Sequence, residues 1–508
     1  MLQFSAFSFI LSSSLFLIIL IYKVIFNRHA TKGSNLKLPP GPKKLPVIGN
    51  LHQMIGELPH HRLYRLGKMY GPVFYLQVGE LPFVIITTPE AAEEVLKTQE
   101  FTFLDHPPYP PNQTTSYENS NIFFTPYGEF WRQLRKICML ELLGVKSVRS
   151  FKSIREDEVS NVIKYIESLS GLPFNLSERI SACMNRVVSK AFFGDACKQQ
   201  DEFIALLHEG SSLASRLDIA EVFPSLKFLR YLSWVKLKLN RVYRKYDKIL
   251  STILADYKMR RENLGGQAGV PDKKDLADGL LRLQESNDSG FHLTTDNIKG
   301  VIFEIISSGT DTPSATLEWV MSELLMNPRV MAKAQNEIRR VLKGKDRVQE
   351  SDIEELNYLK CIIKETLRMH PPAPVIPRAP SEECKVNGYD IPMNSRVLIH
   401  AYALGRDPRY WTNPEKFEPE RFIESSVDYK GLHYQLVPFG SGRRMCPGMA
   451  FGTASIELLL ASLLYHFDWK LANGQTPEQL DMTEAFGLAV RRKYDLYVIA
   501  SPCTSGSA

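Results

Sequence analysis

A cysteine in a glycine-punctuated turn, directly before a long apolar helical pattern, constrains the fold of this chain most. The segment reads Phe-Gly-Ser-Gly-Arg-Arg-Met-Cys-Pro-Gly over residues 439–448. Its glycines allow positive φ angles and let the backbone lie against a large flat ligand. Pro447 fixes φ where the next helix begins, and residues 449–467 carry that helix. Cys446 is therefore predicted to lie at a helix N-terminus, where a thiolate is favoured over a thiol.

A thiolate beside backbone N–H groups suits a single axial bond to haem iron. The pattern Phe-x-x-Gly-x-Arg-x-Cys-x-Gly resembles the haem-binding signature of the cytochrome P-450 superfamily, the haem-thiolate monooxygenases. Further family motifs follow in order along nearly the whole chain, and plant microsomal hydroxylases of terpenoids, alkaloids and furanocoumarins are most similar. The resemblance implies a mostly α-helical fold with small β-sheets in one large haem domain. It also implies haem b as cofactor, Cys446 as the iron ligand and Phe439 beside the haem.

Charge and cysteine content exclude some classes of protein. The 62 basic and 56 acidic residues give a formal charge of +6, which is too small to indicate nucleic-acid binding. It is compatible with a membrane surface or an acidic partner. The 7 cysteines are scattered and form no Cys-x-x-Cys pair, which argues against a disulfide framework or a zinc site. A reducing compartment with one special thiol is the better interpretation.

The N-terminal segment has the character of a membrane anchor. No charged side chain precedes Lys23, and residues 4–26 are rich in Leu, Ile and Phe. About 20 apolar residues suffice to cross a bilayer. Because the positive charges follow the span, the body of the chain should face the cytosol. A cleaved signal peptide would need basic residues before the span and a small-residue site after it. We expect a single-pass endoplasmic reticulum anchor at 1–27, a basic and Pro-rich linker at 28–45 and the catalytic domain at 46–508.

Residues 297–325 predict a long helix with an interruption in its middle. Pro313 has no N–H for the carbonyl of Gly309, so we expect the helix to kink or widen there. Oxygen activation at a haem needs a notch for dioxygen, a hydroxyl group and an acid that relays protons. The resemblance implies that Thr312 is the alcohol and Asp311 the acid of this relay. Taken alone, Asp-Thr-Pro is more often a helix-breaking turn.

Three charged residues are expected to form a buried network. Glu365 and Arg368 share one face of the helical pattern over 356–370 because they are three residues apart. A lone Glu-x-x-Arg is usually a solvated surface pair. Here Pro-Glu-Arg-Phe follows at 419–422, and in the family such an arginine joins the pair. The resemblance therefore implies that Arg421 completes a structural network behind the cysteine loop.

The haem propionates need cationic or N–H partners, because buried carboxylates are costly unless they are paired. Trp131 and Arg135 lie one helical turn apart, and the family assigns such a pair to the propionates. Arg378 and Arg444 match further propionate partners of the family. These four residues are the candidates that would hold the porphyrin edge.

The family's substrate-lining segments map to residues 105–124, 374–376 and 486–490 and to one face of the long helix. Stepping back from Thr312 by 3, 4, 7 and 11 residues keeps that face. The lining is mainly aliphatic, which suits a lipophilic substrate. For Glu304 we expect a surface ion pair rather than a place in the cavity. The predicted pocket residues are Val301, Ile305, Ser308, Gly309, Val375 and Leu488.

The chain contains no flavin or nicotinamide motif, so the resemblance implies electrons from NADPH through a separate NADPH–cytochrome P-450 reductase. Cytochrome b5 is a further candidate partner, and the substrate is a lipophilic small molecule. Ser308 and Pro313 depart from the residues usual beside the Asp-Thr pair. Cyclisation, rearrangement or desaturation at the same haem therefore stays open beside hydroxylation. A haem-binding sensor or carrier without catalysis is the alternative of another class, and Asp311 with Thr312 argues against it.

Overall fold

A computed structural model describes residues 36–107, 117, 121–169, 171–194, 200–214, 218–263, 276–285 and 293–503. The predicted anchor at 1–27 and the first part of the linker lie outside these residues. The α-helices are α1 (Pro59–Tyr70), α2 (Pro89–Glu93), α3 (Glu129–Ile137), α4 (Val145–Ser150), α5 (Lys152–Ser168), α6 (Leu176–Phe193), α7 (Gln200–Ala214), α8 (Ile219–Val222), α9 (Leu229–Leu232), α10 (Trp234–Asn263), α11 (Leu276–Glu285), α12 (Thr295–Met326), α13 (Pro328–Val341), α14 (Asn357–Met369), α15 (Ala401–Leu404) and α16 (Met449–His466).

Short strands complete the fold, which is mostly helical with small sheets, as the sequence predicted. The strands are β1 (Val73–Val78), β2 (Leu81–Ile86), β3 (Phe174–Asn175), β4 (Ile376–Arg378), β5 (Cys384–Val386), β6 (Tyr389–Ile391), β7 (Arg396–Ile399), β8 (Phe467–Leu471), β9 (Glu484–Ala485), β10 (Arg491–Arg492) and β11 (Tyr497–Pro502). Segments Glu94–Thr98 and Cys138–Leu143 are π-helical, and short 3-10 helices span Leu51–Met54, Glu350–Glu355, Pro419–Phe422, Gly442–Arg444, Ala472–Gly474 and Pro477–Gln479.

The chain divides into two compact units. In the described part of the chain, the first comprises residues 36–107, 218–232 and 377–400. Its main sheet has the order β1-β2-β7-β4, with β1 antiparallel and β7 parallel to β2. Strands β1 and β2 pair along their full lengths, and Val84 to Ile86 on β2 are fully buried. A run of β-branched residues thus forms the centre of this sheet, as strand propensity favours.

The second unit comprises residues 108–216, 233–376 and 401–508 and holds a large helical core. Helix α12 packs along α6, and α16 packs against α12 and α5. Among the described helices, α16 is long and apolar enough to cross a membrane, yet more than half of it is buried. Its composition is that of a core helix.

Helix α12 begins and ends close to the predicted bounds. Thr294 and Asn297 form a reciprocal capping box at its N-terminus, with Asn297 N donating to Thr294 Oγ1 at 3.1 Å. Pro313 lies inside the helix, but the backbone remains α-helical on both sides without a wide turn. Pro313 also lies beside Gly452 of α16, where an added Cβ would be 3.8 Å from the proline ring. Packing against neighbouring helices therefore keeps a continuous helix where local sequence predicts a disturbance.

Hydroxyl side chains along α12 donate to the carbonyl oxygen one turn back. The distances are 2.6 Å from Ser308 to Glu304, 2.7 Å from Thr310 to Ile306, 2.8 Å from Thr312 to Ser308, 2.6 Å from Ser314 to Thr310 and 3.0 Å from Thr316 to Thr312. Between the helices, Asn185 of α6 donates to Thr310 Oγ1 at 3.3 Å.

Candidate active site

The loop that carries Cys446 closes on itself through the backbone. Cys446 N donates to the carbonyl oxygen of Phe439 at 2.9 Å. Gly440 and Gly442 have φ angles of 74° and 70°, a region that side chains disfavour. The loop then enters α16, so that the N–H groups of Gly448 and Met449 face the sulfur. The glycines are thus required by the turn.

The electrostatics of Cys446 differ from the sequence expectation. Burial raises the pKa of the thiol, and the Glu304 carboxylate raises it further. The Gly448 N–H, the Arg135 guanidinium and the Met449 N–H act in the opposite direction but do not prevail. The helix N-terminus therefore does not produce a thiolate by itself: Cys446 is accessible to solvent, but the protein around it outweighs the two N–H groups. A bound metal cation would do so, since a coordinating thiol is deprotonated outright.

Trp131 and Arg444, two of the predicted propionate partners, lie in contact. The Arg444 guanidinium lies 4.3 Å from the centre of the Trp131 ring. Trp131 is buried and donates from Nε1 to the carbonyl of Ile122 at 2.8 Å. Arg444 donates to the same carbonyl at 3.0 Å and to that of Thr125 at 2.7 Å. Both side chains thus hold the segment before α3 against the cysteine loop.

The other two predicted propionate partners lie in different units. Arg135 of α3 donates from Nη2 to the carbonyl of Met445 at 2.6 Å, which places its charge beside Cys446. Arg378 belongs to the first unit, where it is buried and its Nη1 lies 3.2 Å from His106 Nε2. The role of all four residues toward a propionate stays a prediction.

Glu304 belongs to the site, so the expectation of a surface ion pair was wrong. Its Oε2 accepts the N–H of Ile122 at 2.7 Å, and the N–H of Phe123 also faces it. Burial raises the pKa of Glu304 to about 7, against these donors and the charges of Arg444 and Arg135. The carboxyl group therefore joins α12 to the segment that Arg444 holds. One acid on an otherwise apolar helix face was the available signal for this contact.

Thr312 and Ser308 lie on the same stripe of α12 as Glu304, each four residues from the next. Ser308 is exposed and Thr312 is partly buried. The Thr312 hydroxyl donates to the Ser308 carbonyl, and the Ser308 hydroxyl donates to the Glu304 carbonyl. Because both hydroxyl protons are donated to carbonyl oxygens, the two hydroxyl oxygens can accept hydrogen bonds from a group bound beside this face of α12.

Asp311 lies about 100° around the helix from Thr312. It accepts a hydrogen bond from Ser211 of α7, which itself accepts the N–H of Leu488 at 3.0 Å. Burial raises the pKa of Asp311 to about 6, against the charge of Arg491 and the hydrogen bond from Ser211. Asp311 lines a polar cavity of about 320 Å³, whereas Thr312 does not. The adjacent acid and alcohol therefore face two different surroundings.

The structure brings Glu365, Arg368 and Arg421 together. Arg368 donates to Glu365 from Nε at 2.7 Å and from Nη2 at 2.8 Å, and Arg421 Nε donates to it at 3.0 Å. The first two side chains are fully buried and the third is nearly so. Arg368 Nη1 also donates to the carbonyls of Gly405 and Pro414 at 2.6 and 2.7 Å. The network thus ties α14 to the segment that leads to Arg421.

Two predicted pocket residues, Val301 and Gly309, are closely packed by neighbouring elements. Val301 is fully buried in the core. It shares a face with Thr312 but lies three turns away, about 16 Å along the axis, where other elements cover that face. A Cβ on Gly309 would lie 3.2 Å from Val188 of α6, so this glycine serves the packing of two helices. Helical periodicity places both residues on the face of Thr312 but gives no information on their neighbours, so both stay predictions as substrate contacts.

The remaining pocket candidates differ in exposure. Leu488 is 51% exposed, Ser308 is exposed, Val375 is partly buried and Ile305 is 9% exposed. Of the predicted segment 105–124, residues 108–116 and 118–120 lie outside the described part of the chain. These candidates stay predictions as substrate contacts.

The donor set around Cys446 fits a haem. The sulfur belongs to an exposed residue that receives two backbone N–H groups, and a guanidinium lies beside it. Such donors moderate the charge of a thiolate bound to iron. Helix α12 adds a partly exposed hydroxyl and, one residue earlier, an acid whose pKa is raised to about 6.

Comparison with known proteins places the whole body of the chain in one family. Residues 39–497 match the family model described as Cytochrome P450. A solved zebrafish cytochrome P450 with abiraterone superposes with a TM-score of 0.75 at 21% identity, covering 88% of this chain and all of the other. At that identity, the likeness shows the fold.

Curated plant enzymes are much more similar in sequence. A melianol synthase of Azadirachta indica is 48% identical over 492 residues, which cover 96% of this chain and 97% of that one. Premnaspirodiene oxygenase of Hyoscyamus muticus is 45% identical over 96% of this chain and 98% of its own. Tabersonine 6,7-epoxidase isoform 1 of Catharanthus roseus is also 45% identical, over 97% of each chain.

Proposed function

Because the chain belongs to the cytochrome P450 family, we propose that this monooxygenase inserts one oxygen atom from O2 into a terpenoid or a terpenoid-derived alkaloid. Its family supplies a haem iron as cofactor. One observation supports this substrate class: several plant relatives 45–50% identical over nearly the whole chain are named for terpenoid or alkaloid products or substrates. The similarity extends over nearly the full length of this chain and of those relatives, so it concerns the whole enzyme and not one part of it.

Cys446 would hold the iron, with the N–H groups of Gly448 and Met449 on its sulfur. When bound, the haem supplies the binding and reductive activation of dioxygen. Trp131, Arg135, Arg378 and Arg444 would hold the propionates, and Phe439 would lie against the ring. Glu365, Arg368 and Arg421 would keep the cysteine loop in place without taking part in the chemistry.

The residues of α12 would manage protons and water. The Asp311 carboxyl group would take up and release a proton readily in the region of pH 6 to 7, because burial raises its pKa to about 6. The Thr312 hydroxyl donates to Ser308 and so presents an oxygen that accepts a hydrogen bond. Glu304, through its bonds to the segment before α3, would keep that segment closed over the same helix face.

Electrons would come from NADPH through a separate reductase, with cytochrome b5 as a second candidate donor. The protein would be anchored in the endoplasmic reticulum membrane by its first 27 residues, with the catalytic domain in the cytosol. The apolar N-terminal sequence and the microsomal resemblance support this topology.

The test is turnover with reductase, NADPH and isotopically labelled O2 over a panel of terpenoids and terpenoid indole alkaloids. We expect a product that carries one labelled oxygen atom. Cys446→Ser should abolish both the thiolate band of the carbon-monoxide complex and turnover, because serine oxygen is a poor substitute for thiolate sulfur. If the Cys446→Ser variant turned over substrate as fast as wild type, the assignment of Cys446 as the iron ligand would be refuted.

The same experiment separates the alternatives. A changed product without the label indicates cyclisation, rearrangement or desaturation at the same haem. Binding spectra without NADPH consumption, for every compound of the panel, would indicate a sensor or carrier. Either result would contradict oxygen insertion while leaving family membership intact.

A further inference from the structure

The polar cavity beside Asp311 is lined along one side by a single stripe of α12. Asp311, Ser314, Ala315 and Glu318 follow one another at i, i+3, i+4 and i+7. The two carboxyl groups are thus on one face, two turns or about 10 Å apart. A cavity of about 320 Å³ between polar walls has room for several water molecules.

Glu318 is a buried acid with defined partners. Its residue is 8% exposed. The Ser177 hydroxyl donates to it, while Ser177 accepts the N–H of Leu496 at 2.9 Å. Burial raises the pKa of Glu318 to about 7; the Asp495 charge raises it and those of Arg491 and Arg492 lower it.

Asp311 is surrounded in a similar way. Ser211 donates to it and Arg491 is the nearby cation. The Tyr246 hydroxyl lies close enough for the Asp311 charge to act on it. Arg491 thus faces both acids of the cavity. A proton shared between two carboxyl groups of similar pKa moves in either direction at little cost.

The cavity reaches the protein surface. Glu178, Arg491 and Asp495 line it and are exposed, whereas Ser181 and Ser314 line it and are buried. Polarity therefore continues from solvent to the floor at Asp311. Among the described lining residues, only Ala315 and Ala489 are apolar.

We propose that this cavity conducts solvent protons to Asp311 and that Glu318 is the relay acid inside it. The inference rests on the proposed function, in which Asp311 supplies protons for oxygen activation. In each cycle the O–H bond of Glu318 breaks and its proton passes through cavity water to the Asp311 carboxylate. A proton from solvent at the mouth of the cavity then protonates the Glu318 carboxylate again. After each cycle the number of protons in the cavity is therefore unchanged.

The first test replaces the relay acid. Glu318→Gln keeps the size and an acceptor for Ser177 but cannot release a proton. We expect normal haem content and thiolate band, a several-fold larger share of NADPH electrons recovered as hydrogen peroxide, and a larger solvent deuterium isotope effect. Glu318→Asp should recover much of the coupling. Glu383→Gln removes an exposed acid that does not line the cavity; it is the control and should behave as wild type.

A second readout does not depend on turnover. Infrared spectra of the ferric protein without substrate, taken between pH 5 and 8, follow protonated carboxyl groups directly. Wild type should show carboxyl absorption that titrates in the region of pH 6 to 7. Glu318→Gln should remove one part of it and shift the remainder, because the two acids share Arg491.

A third variant blocks the cavity without changing a titratable group. Ala315→Val adds two methyl groups between the acids and should give the same uncoupling with an unchanged carboxyl titration. It also serves if Glu318→Gln fails to fold. The proposal is overturned if both variants match wild type in peroxide yield and isotope effect. Failure of the proposed function would show instead in wild type, as absent oxygen insertion, while the infrared titration would remain.

Discussion

A buried carboxyl group in the first unit determines part of the pH response of the fold. Glu221 is 7% exposed. Burial and the neighbouring Asp218 raise its pKa to about 7, while the charge of Arg396 lowers it. The folded chain therefore holds a proton on Glu221 at pH values where the unfolded chain has already released it.

Glu221→Gln should become more stable than wild type as the pH rises. Wild type loses unfolding free energy between about pH 4.3 and pH 7, because the unfolded state binds fewer protons than the folded state. Between these pH values, the unfolding free energy of wild type falls relative to that of Glu221→Gln by about 1.4 kcal/mol per pH unit. In a chain of this size, that lowers the unfolding temperature by about 1 °C per pH unit. Thermal unfolding at pH 5, 6, 7 and 8 measures it.

The control for this prediction is Glu383→Gln in the same unit, an exposed acid whose variant should follow wild type at every pH. A gap between Glu221→Gln and wild type that stays constant from pH 5 to 7 would show that Glu221 is already ionised in the folded chain.

At single positions, the sequence identified residues better than it identified their partners. Cys446 and its glycines were evident because a turn with positive φ at Gly440 and Gly442 needs them. The partners of Glu304 were not, since the N–H groups of Ile122 and Phe123 come from a segment almost two hundred residues earlier. Nothing local indicates which distant backbone a lone acid will meet.

At the scale of elements, the Glu365 network should matter far more than nearby surface pairs. Glu365→Gln leaves Arg368 buried without a counter-charge, which costs about 3–5 kcal/mol. We expect poor recovery of haem-loaded protein and a lower unfolding temperature, measured by the carbon-monoxide spectrum and by thermal denaturation.

The comparison is Glu420→Gln, which also removes an acid paired with basic side chains. Glu420 forms ion pairs with Arg329 at 2.7 Å and with Lys333 at 3.0 Å, and the side chains of both basic residues are exposed. Such pairs contribute about 0–1 kcal/mol. Equal losses in the two variants would mean that burial of the network does not decide its importance.

Elements with strong periodicity were predictable in their bounds, and less so in their surroundings. The pattern over 297–325 gave α12 to within about two residues at its N-terminus and one at its C-terminus. It did not reveal that Gly309 meets Val188 or that Val301 is covered. Those facts depend on α6 and other elements that pack on α12, which no window of one helix contains.

For the whole molecule, loading with haem should change which cysteine reacts. Cys446 is exposed in the chain, whereas Cys138 and Cys183 are buried with raised pKa values. In haem-depleted protein, a thiol reagent should label Cys446, faster as the pH rises, because the thiolate reacts and its pKa is raised.

In haem-loaded protein, this labelling should fall at least tenfold, as peptide mass spectrometry would show. Cys503, which is partly exposed, is the internal control and should react equally in both forms. Equal labelling of Cys446 with and without haem would contradict its role as the iron ligand.

The overall architecture followed from the resemblance more than from physical patterns. Helical periodicity indicated an α-rich chain, but the first unit is assembled from three separated stretches of sequence. The parallel pairing of β2 with β7 joins strands about three hundred residues apart. Local strand propensity does not indicate which distant strands pair. The cysteine signature does indicate the fold, because the family that shares the signature also shares the fold.

The backward-directed hydroxyls of α12 have one more consequence. A row of serines and threonines along a helix could in principle pass protons from one hydroxyl group to the next. Here the hydroxyl groups of Ser308, Thr310, Thr312, Ser314 and Thr316 each donate their proton to a backbone carbonyl oxygen. Hopping along this row would require each group to rotate and give up its partner. The row is therefore a poor path for protons, and the carboxyl group of Asp311 is the better proton donor on this helix.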